Sequence, residues 1–131
     1  MTGIASPTFK KRERIVSRKL IEQLFSKGSS FSISAFPLRI VVLETARMAE
    51  DIPVQVLISV SKRHFKHAVD RNRVKRQVRE AYRRHKQILT EKVKQEQTLA
   101  IAFIWLANEH HESAIVEKSV KRLLEKVTER L

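Results

Sequence analysis

Apolar residues recur along the chain with two different periods, and the switches between them mark out its elements. Leu20, Ile21, Leu24 and Phe25 fall at helical spacing behind Ser17, a suitable N-cap, and ahead of Gly28, a good helix stop. A short helix is expected over about 17–27. Phe31, Ile33 and Ala35 then alternate with Ser32 and Ser34, and residues 36–43 continue as an apolar, β-branched run. Pro37 inside that run predicts a bulge or an edge position, because proline has no N–H for a ladder. The stretch therefore reads as one strand or as two. Residues 45–53 read as a loop. Val54, Val56, Ile58 and Val60 alternate cleanly, which gives a further strand ending near Ser61.

Beyond Ser61 the period lengthens. Val74, Val78, Ala81 and Tyr82 lie at i, i+4, i+7 and i+8, the seam of a helix packed on a sheet, while Asn72, Lys75, Arg76, Arg79 and Arg83 project from its other side. Residues 87–97 are polar and either extend that helix or form a loop. Residues 99–106 are apolar throughout, as in a strand covered on both faces. Ser113 is a candidate cap for a closing helix with Val116, Val120, Leu123, Leu124 and Val127 on one face. The order α-β-β-(β)-α-β-α belongs to the α+β class. Residues 1–9 read as a flexible N-terminal arm and 10–131 as a single domain, with no internal repeat.

Composition narrows the function. The 131 residues hold 42% hydrophobic residues, enough for a core. Without cysteine there is no disulfide, thiolate zinc site or cysteine nucleophile. With only Gly3 and Gly28, neither a dinucleotide fingerprint nor a phosphate-cradling P-loop can be built. No stretch suits a signal peptide or approaches the ~20 apolar residues of a membrane span, so a soluble, intracellular protein is expected.

Net charge is +13, and it is not spread evenly. Residues 62–86 hold eleven Lys/Arg against Asp70 and Glu80, a net of +9, and residues 10–19 hold six against Glu13, a net of +5. The remainder nets −1, close to an ordinary neutral protein. A solvated helix face or a solubility device would mix both signs, and a membrane-surface helix would carry a large aromatic and leucine face. Two concentrated basic segments instead suit a phosphate backbone, whose condensed counterions they release.

Within the larger segment the residues become specific. Ile58-Ser59-Val60-Ser61-Lys62-Arg63 closes a strand, followed by Asp70-Arg71-Asn72-Arg73-Val74-Lys75-Arg76 and then Arg79-Glu80. This ordered set resembles the protein subunit of bacterial ribonuclease P, over about residues 10–130. The resemblance implies a two-layer α/β sandwich, with the Arg-Asn-Arg helix in a left-handed β-α-β crossover like that of a small-subunit ribosomal protein domain. It further implies a cytoplasmic protein, monomeric when free, that binds the catalytic RNA and the 5′ leader of precursor tRNA. Endonucleolytic removal of the leader is then carried out by the RNA with Mg²⁺, and the protein supplies no catalytic residue and no metal ligand. The implied RNA-binding residues are Lys62, Arg63, Lys66, Arg71, Asn72, Arg73, Lys75, Arg76, Arg79 and Arg83. The implied leader cleft comprises Ile21, Phe25, Phe36 and Arg39; Phe25 keeps a ring, whereas Ile21 and Arg39 stand where Phe and Tyr are common.

The residues agree with a non-catalytic protein. A metal nuclease needs several convergent carboxylates, whereas the basic segment offers only Asp70 and Glu80. Asp70 reads as a helix cap, and Glu80 as a partner for a neighbouring arginine, Arg73 among them. His64 and His67 sit among cations, and His110 and His111 read as an exposed loop. Tyr82 and Trp105 can stack on bases, but their apolar surroundings favour the core. Neither Arg71 nor Arg73 lies on the apolar seam, so alanine at either is expected to reduce RNA affinity with little effect on the fold. A free-standing ribosomal-type RNA-binding protein is the alternative.

Overall fold

A computed structural model describes residues 13–15, 17–26, 30–46 and 53–131; the expected arm over 1–9, the stop at Gly28 and residues 47–52 of the expected loop lie outside the described residues. Four strands, β1 (Ser30–Ala35), β2 (Leu38–Ala46), β3 (Val54–Ser59) and β4 (Gln97–Trp105), form one sheet in the order β1-β2-β4-β3. The β1/β2 and β2/β4 pairs are antiparallel, and β3/β4 is parallel. The helices are α1 (Arg18–Leu24), α2 (Ala68–His85), the single turn α3 (Gln87–Thr90) and α4 (Ser113–Glu129). The optional third strand is therefore present, and the polar stretch after α2 provides one further helical turn.

Alternation along the strands divides the core. Leu38, Ile40 and Val42 of β2 share a face with Leu99, Ile101, Phe103 and Trp105 of β4, and α2 and α4 bury their apolar seams there. Val74, Val78, Ala81 and Tyr82 are all buried, as their spacing predicts. On the opposite face Val41, Leu43, Ala100 and Ala102 receive Leu20 and Leu24 of α1. Burial on both faces accounts for the unbroken apolar run of β4. The expected two-layer sandwich thus gains a partial third layer. The Ser17 hydroxyl accepts from Leu20 N at 3.3 Å, the N-cap its position predicts.

Three local expectations are corrected. Pro37 makes no bulge: the cis Phe36–Pro37 pair forms the turn between β1 and β2, with Ala35 and Leu38 in register. There its missing N–H costs no ladder bond, and Leu106 N donates to its carbonyl at 2.9 Å. Ser113 is not the cap of α4, whose N-cap is Glu112 without a side-chain cap bond; the Ser113 hydroxyl instead accepts from Gln77 Nε2. Asp70 is not the cap of α2 either. The helix begins at Ala68 behind extended His67, which leaves Asp70 in the first turn, where a carboxylate complements the helix dipole.

Candidate nucleic-acid interface

Between β3 and α2 the chain makes one compact turn. Ser61 closes it, its hydroxyl accepting from Arg63 N at 3.1 Å and its carbonyl from His64 N at 3.0 Å. Lys62, Arg63 and Lys66 are exposed on this turn, while Phe65 enters the core. Along α2, Asn72, Arg73 and Arg76 are exposed, and Arg71, Lys75, Arg79 and Arg83 are half-buried. The implied RNA-binding residues therefore share one turn and the helix that follows it.

Their environments differ. Arg71 Nη1 donates to the carbonyls of Phe65 and Lys66 at 2.9 and 2.8 Å, so this side chain holds the backbone that precedes its own helix. Arg83 is paired with Glu80, through Nε at 3.0 Å and through Nη2. Arg84 bridges Glu80 and Glu117, both at 3.3 Å. Glu80 thus serves Arg83 and Arg84, not Arg73. The hydrogen bond from Arg83, ahead of the charges of Arg83 and Arg84, holds the Glu80 carboxyl down to about 2 from 4.5. A value depressed in the folded protein contributes stability above pH 4.5 that disappears as the pH falls toward 2. Glu80→Gln is accordingly expected to flatten the acid limb of stability slightly in urea titrations across that range, slightly because the pair is exposed.

Lys75 and Arg79 meet a third cation from outside the motif. Arg14 forms an isolated parallel bridge to Val56, and the next residue, Ile15, donates its N–H to the Val56 carbonyl at 2.9 Å. Glu13 binds Lys86 Nζ at 3.0 Å, tying the same segment to the far end of α2. Arg14, Lys75 and Arg79 consequently line one cavity of about 210 Å³ whose apolar wall is Ile15, Val56, Leu57 and Ile58. Burial first, then the charges of Arg14 and Arg76, lower the Arg79 pKa, and its buried Nε has no hydrogen-bond partner among the described residues. Such a pocket favours an anion, which would relieve both the like-charge repulsion and the unmatched donor. The basic window over 10–19 pointed toward Arg14, but only folding brings it to α2.

The implied leader cleft is divided. Ile21 packs with Leu20 and Leu24 on the α1 face of the sheet, Arg39 is exposed on the strand that also presents Val41 to that face, and Phe25 follows α1 at 46% exposure. Phe36, 64% exposed, lies at the β1–β2 turn with its ring edge-on to His111 at 5.7 Å, on the α4 side. Tyr82 and Trp105 are core residues, and burial pushes the Tyr82 hydroxyl well above the usual phenol range. The expectation of an exposed His110–His111 loop is corrected. Both rings are half-buried: His110 stacks on Phe65 at 4.5 Å and reaches Asp70 Oδ1 at 3.1 Å, and His111 lies edge-on to Trp105 at 5.6 Å. Apolar rings from two elements cover imidazoles that sequence spacing alone assigned to solvent.

The family model for ribonuclease P matches residues 9–128. The chain belongs to the ribonuclease P protein family. The ribonuclease P protein component of Porphyromonas gingivalis strain W83 is 38% identical over 124 residues, 90% of this chain and 86% of that protein. A mutant of the RNase P protein of Staphylococcus aureus superposes with a TM-score of 0.67 at 24% identity, over 89% of each chain. The RNase P protein of Thermotoga maritima superposes with a TM-score of 0.64 at 22% identity, over 86% of this chain and 96% of that one. At those identities the superpositions establish the α+β fold with its mixed sheet. The sequence matches establish the function: a protein subunit of ribonuclease P, the endoribonuclease that processes the 5′ end of tRNA.

Proposed function

We propose that this ribonuclease P protein grips the phosphate backbone of the catalytic RNA with the 61–67 turn and the exposed side of α2, and contacts the 5′ leader of precursor tRNA on the α1 face. The observation that carries this reading is the convergence of Arg14, Lys75 and Arg79 on one half-apolar cavity, a cationic arrangement that an RNA phosphate would satisfy. Arg73, Arg76, Lys62, Arg63 and Lys66 extend the same cationic surface as exposed groups suited to phosphate contacts, and Asn72 adds an amide for 2′-OH or base edges. Ile21, Phe25 and Arg39 are the leader-facing residues, and Phe36 is set apart from them.

Residues 10–131 act in this reading as one RNA-binding domain, and the β3-α2-β4 crossover is left-handed, as the family resemblance implies. Mg²⁺ belongs to the RNA subunit and the substrate. Among the described residues no three acidic or imidazole groups gather to hold a metal ion, and the proposed face is cationic. These residues do not fit a Mg²⁺ site. The reaction then takes place in the cytoplasm; among the described residues no helix is long and apolar enough to cross a membrane.

Reconstitution tests the reading. Added to the RNA subunit of a bacterial ribonuclease P, the chain is expected to lower the Mg²⁺ concentration needed for 5′ maturation of precursor tRNA, while the protein alone leaves the substrate intact. Arg79→Ala should weaken RNA binding while leaving the thermal transition nearly in place. Cleavage by RNA-free protein, or unchanged affinity in the Arg79 variant, would overturn it.

A further inference from the structure

Arg71 stands first in the Arg-Asn-Arg triplet, yet its side chain turns back onto the protein. Nη1 lies between two successive carbonyls of the 61–67 turn, Phe65 at 2.9 Å and Lys66 at 2.8 Å. The loop after β4 holds the same turn as well. His110 stacks on Phe65 with ring centroids 4.5 Å apart and places Nε2 3.1 Å from Asp70 Oδ1, and His64 Nδ1 lies 2.7 Å from Asn108 Oδ1. Three separate contacts thus fix one short segment, and that segment exposes Lys62, Arg63 and Lys66.

We propose that Arg71 and His110 are positioning residues for RNA binding, clamping the 61–67 turn so that Lys62, Arg63 and Lys66 are presented in register with α2. The proposal rests on the RNA-binding reading above. A guanidinium anchored on two backbone carbonyls is drawn away from solvent phosphate, and an imidazole stacked on Phe65 with its Nε2 on Asp70 is turned toward the protein. Their influence on RNA is therefore indirect, through the three exposed cations.

A double-mutant cycle on the full chain with ribonuclease P RNA tests this, with Kd measured across a salt series. Arg71→Ala and His110→Ala should each weaken binding about fivefold to tenfold in the parent, and less than about twofold when Lys62, Arg63 and Lys66 are already alanine. General destabilisation would lower affinity equally in both backgrounds, so loss of the effect in the triple variant is specific to positioning. If Arg71→Ala fails to fold by circular dichroism, the His110→Ala cycle decides alone. A loss that persists in the triple variant, with the salt slope reduced by about 0.7–0.9, makes Arg71 a direct phosphate contact and overturns the proposal while leaving the RNA face intact. A triple variant that binds like the parent overturns the RNA-face reading together with the proposal.

Discussion

Raising the salt from 50 to 200 mM is expected to weaken binding of this chain to ribonuclease P RNA about a thousandfold, the loss that about six phosphate contacts produce. The number follows from the side chains available. Arg83 and Arg84 are neutralised by Glu80 and Glu117, and Arg71 is anchored on backbone carbonyls. Lys62, Arg63, Lys66, Arg73, Lys75, Arg76 and Arg79 remain as the candidates on the turn and on α2. A log–log slope near −5 in filter-binding or fluorescence titrations is the expected result. A slope shallower than about −2 would mean that shape or stacking, not phosphate, dominates the contact. The steepness also predicts fast, steered association at low salt, because the +13 of net charge is concentrated in two segments.

Trp105→Ala is expected to cost about 3–5 kcal/mol of stability, read as a lowered midpoint in urea unfolding. Trp105 is 1% exposed at the end of β4, paired with Leu38 and packed among residues of α2, α4 and the sheet. Truncation leaves a cavity that the close-packed core between the sheet and its helices cannot collapse around. Trp105→Phe should lose clearly less, because the buried indole Nε1 has no hydrogen-bond partner among the described residues. Equal losses for the two substitutions would point to a hidden acceptor for that N–H. The alanine variant should also weaken RNA binding, since β4 leads directly into the loop whose Asn108 and His110 hold the 61–67 turn.

What could be read from the chain was periodic or compositional. The α2 seam, the two-faced burial of β4 and the closing helix were legible because burial repeats at each element's own spacing. Asp70 and Ser113 depart from the capping roles their residue types predict for one shared reason. Both are good capping residues, but the helices start where β3 and β4 deliver the chain, which moved the caps to His67 and Glu112. The burial of His110 and His111 escapes local pattern for another. Their partners, Phe65, Asp70 and Trp105, lie at sequence separations that no local pattern spans.

The candidate site was legible as a list of cations and illegible as a division of labour. By itself the sequence determined the charged segments, the apolar faces, the element order and the motif that marks the family, because each depends on residues close together in the chain. Tertiary structure alone decided that Arg14 joins Lys75 and Arg79, that Arg71 faces inward, and that Phe36 stands apart from Ile21 and Arg39. Those outcomes depend on how β3 pairs with the N-terminal segment, how one turn packs against a distant loop, and which face of a strand each side chain takes. Pairing and packing energies between remote segments select among them, and no local spacing encodes those energies.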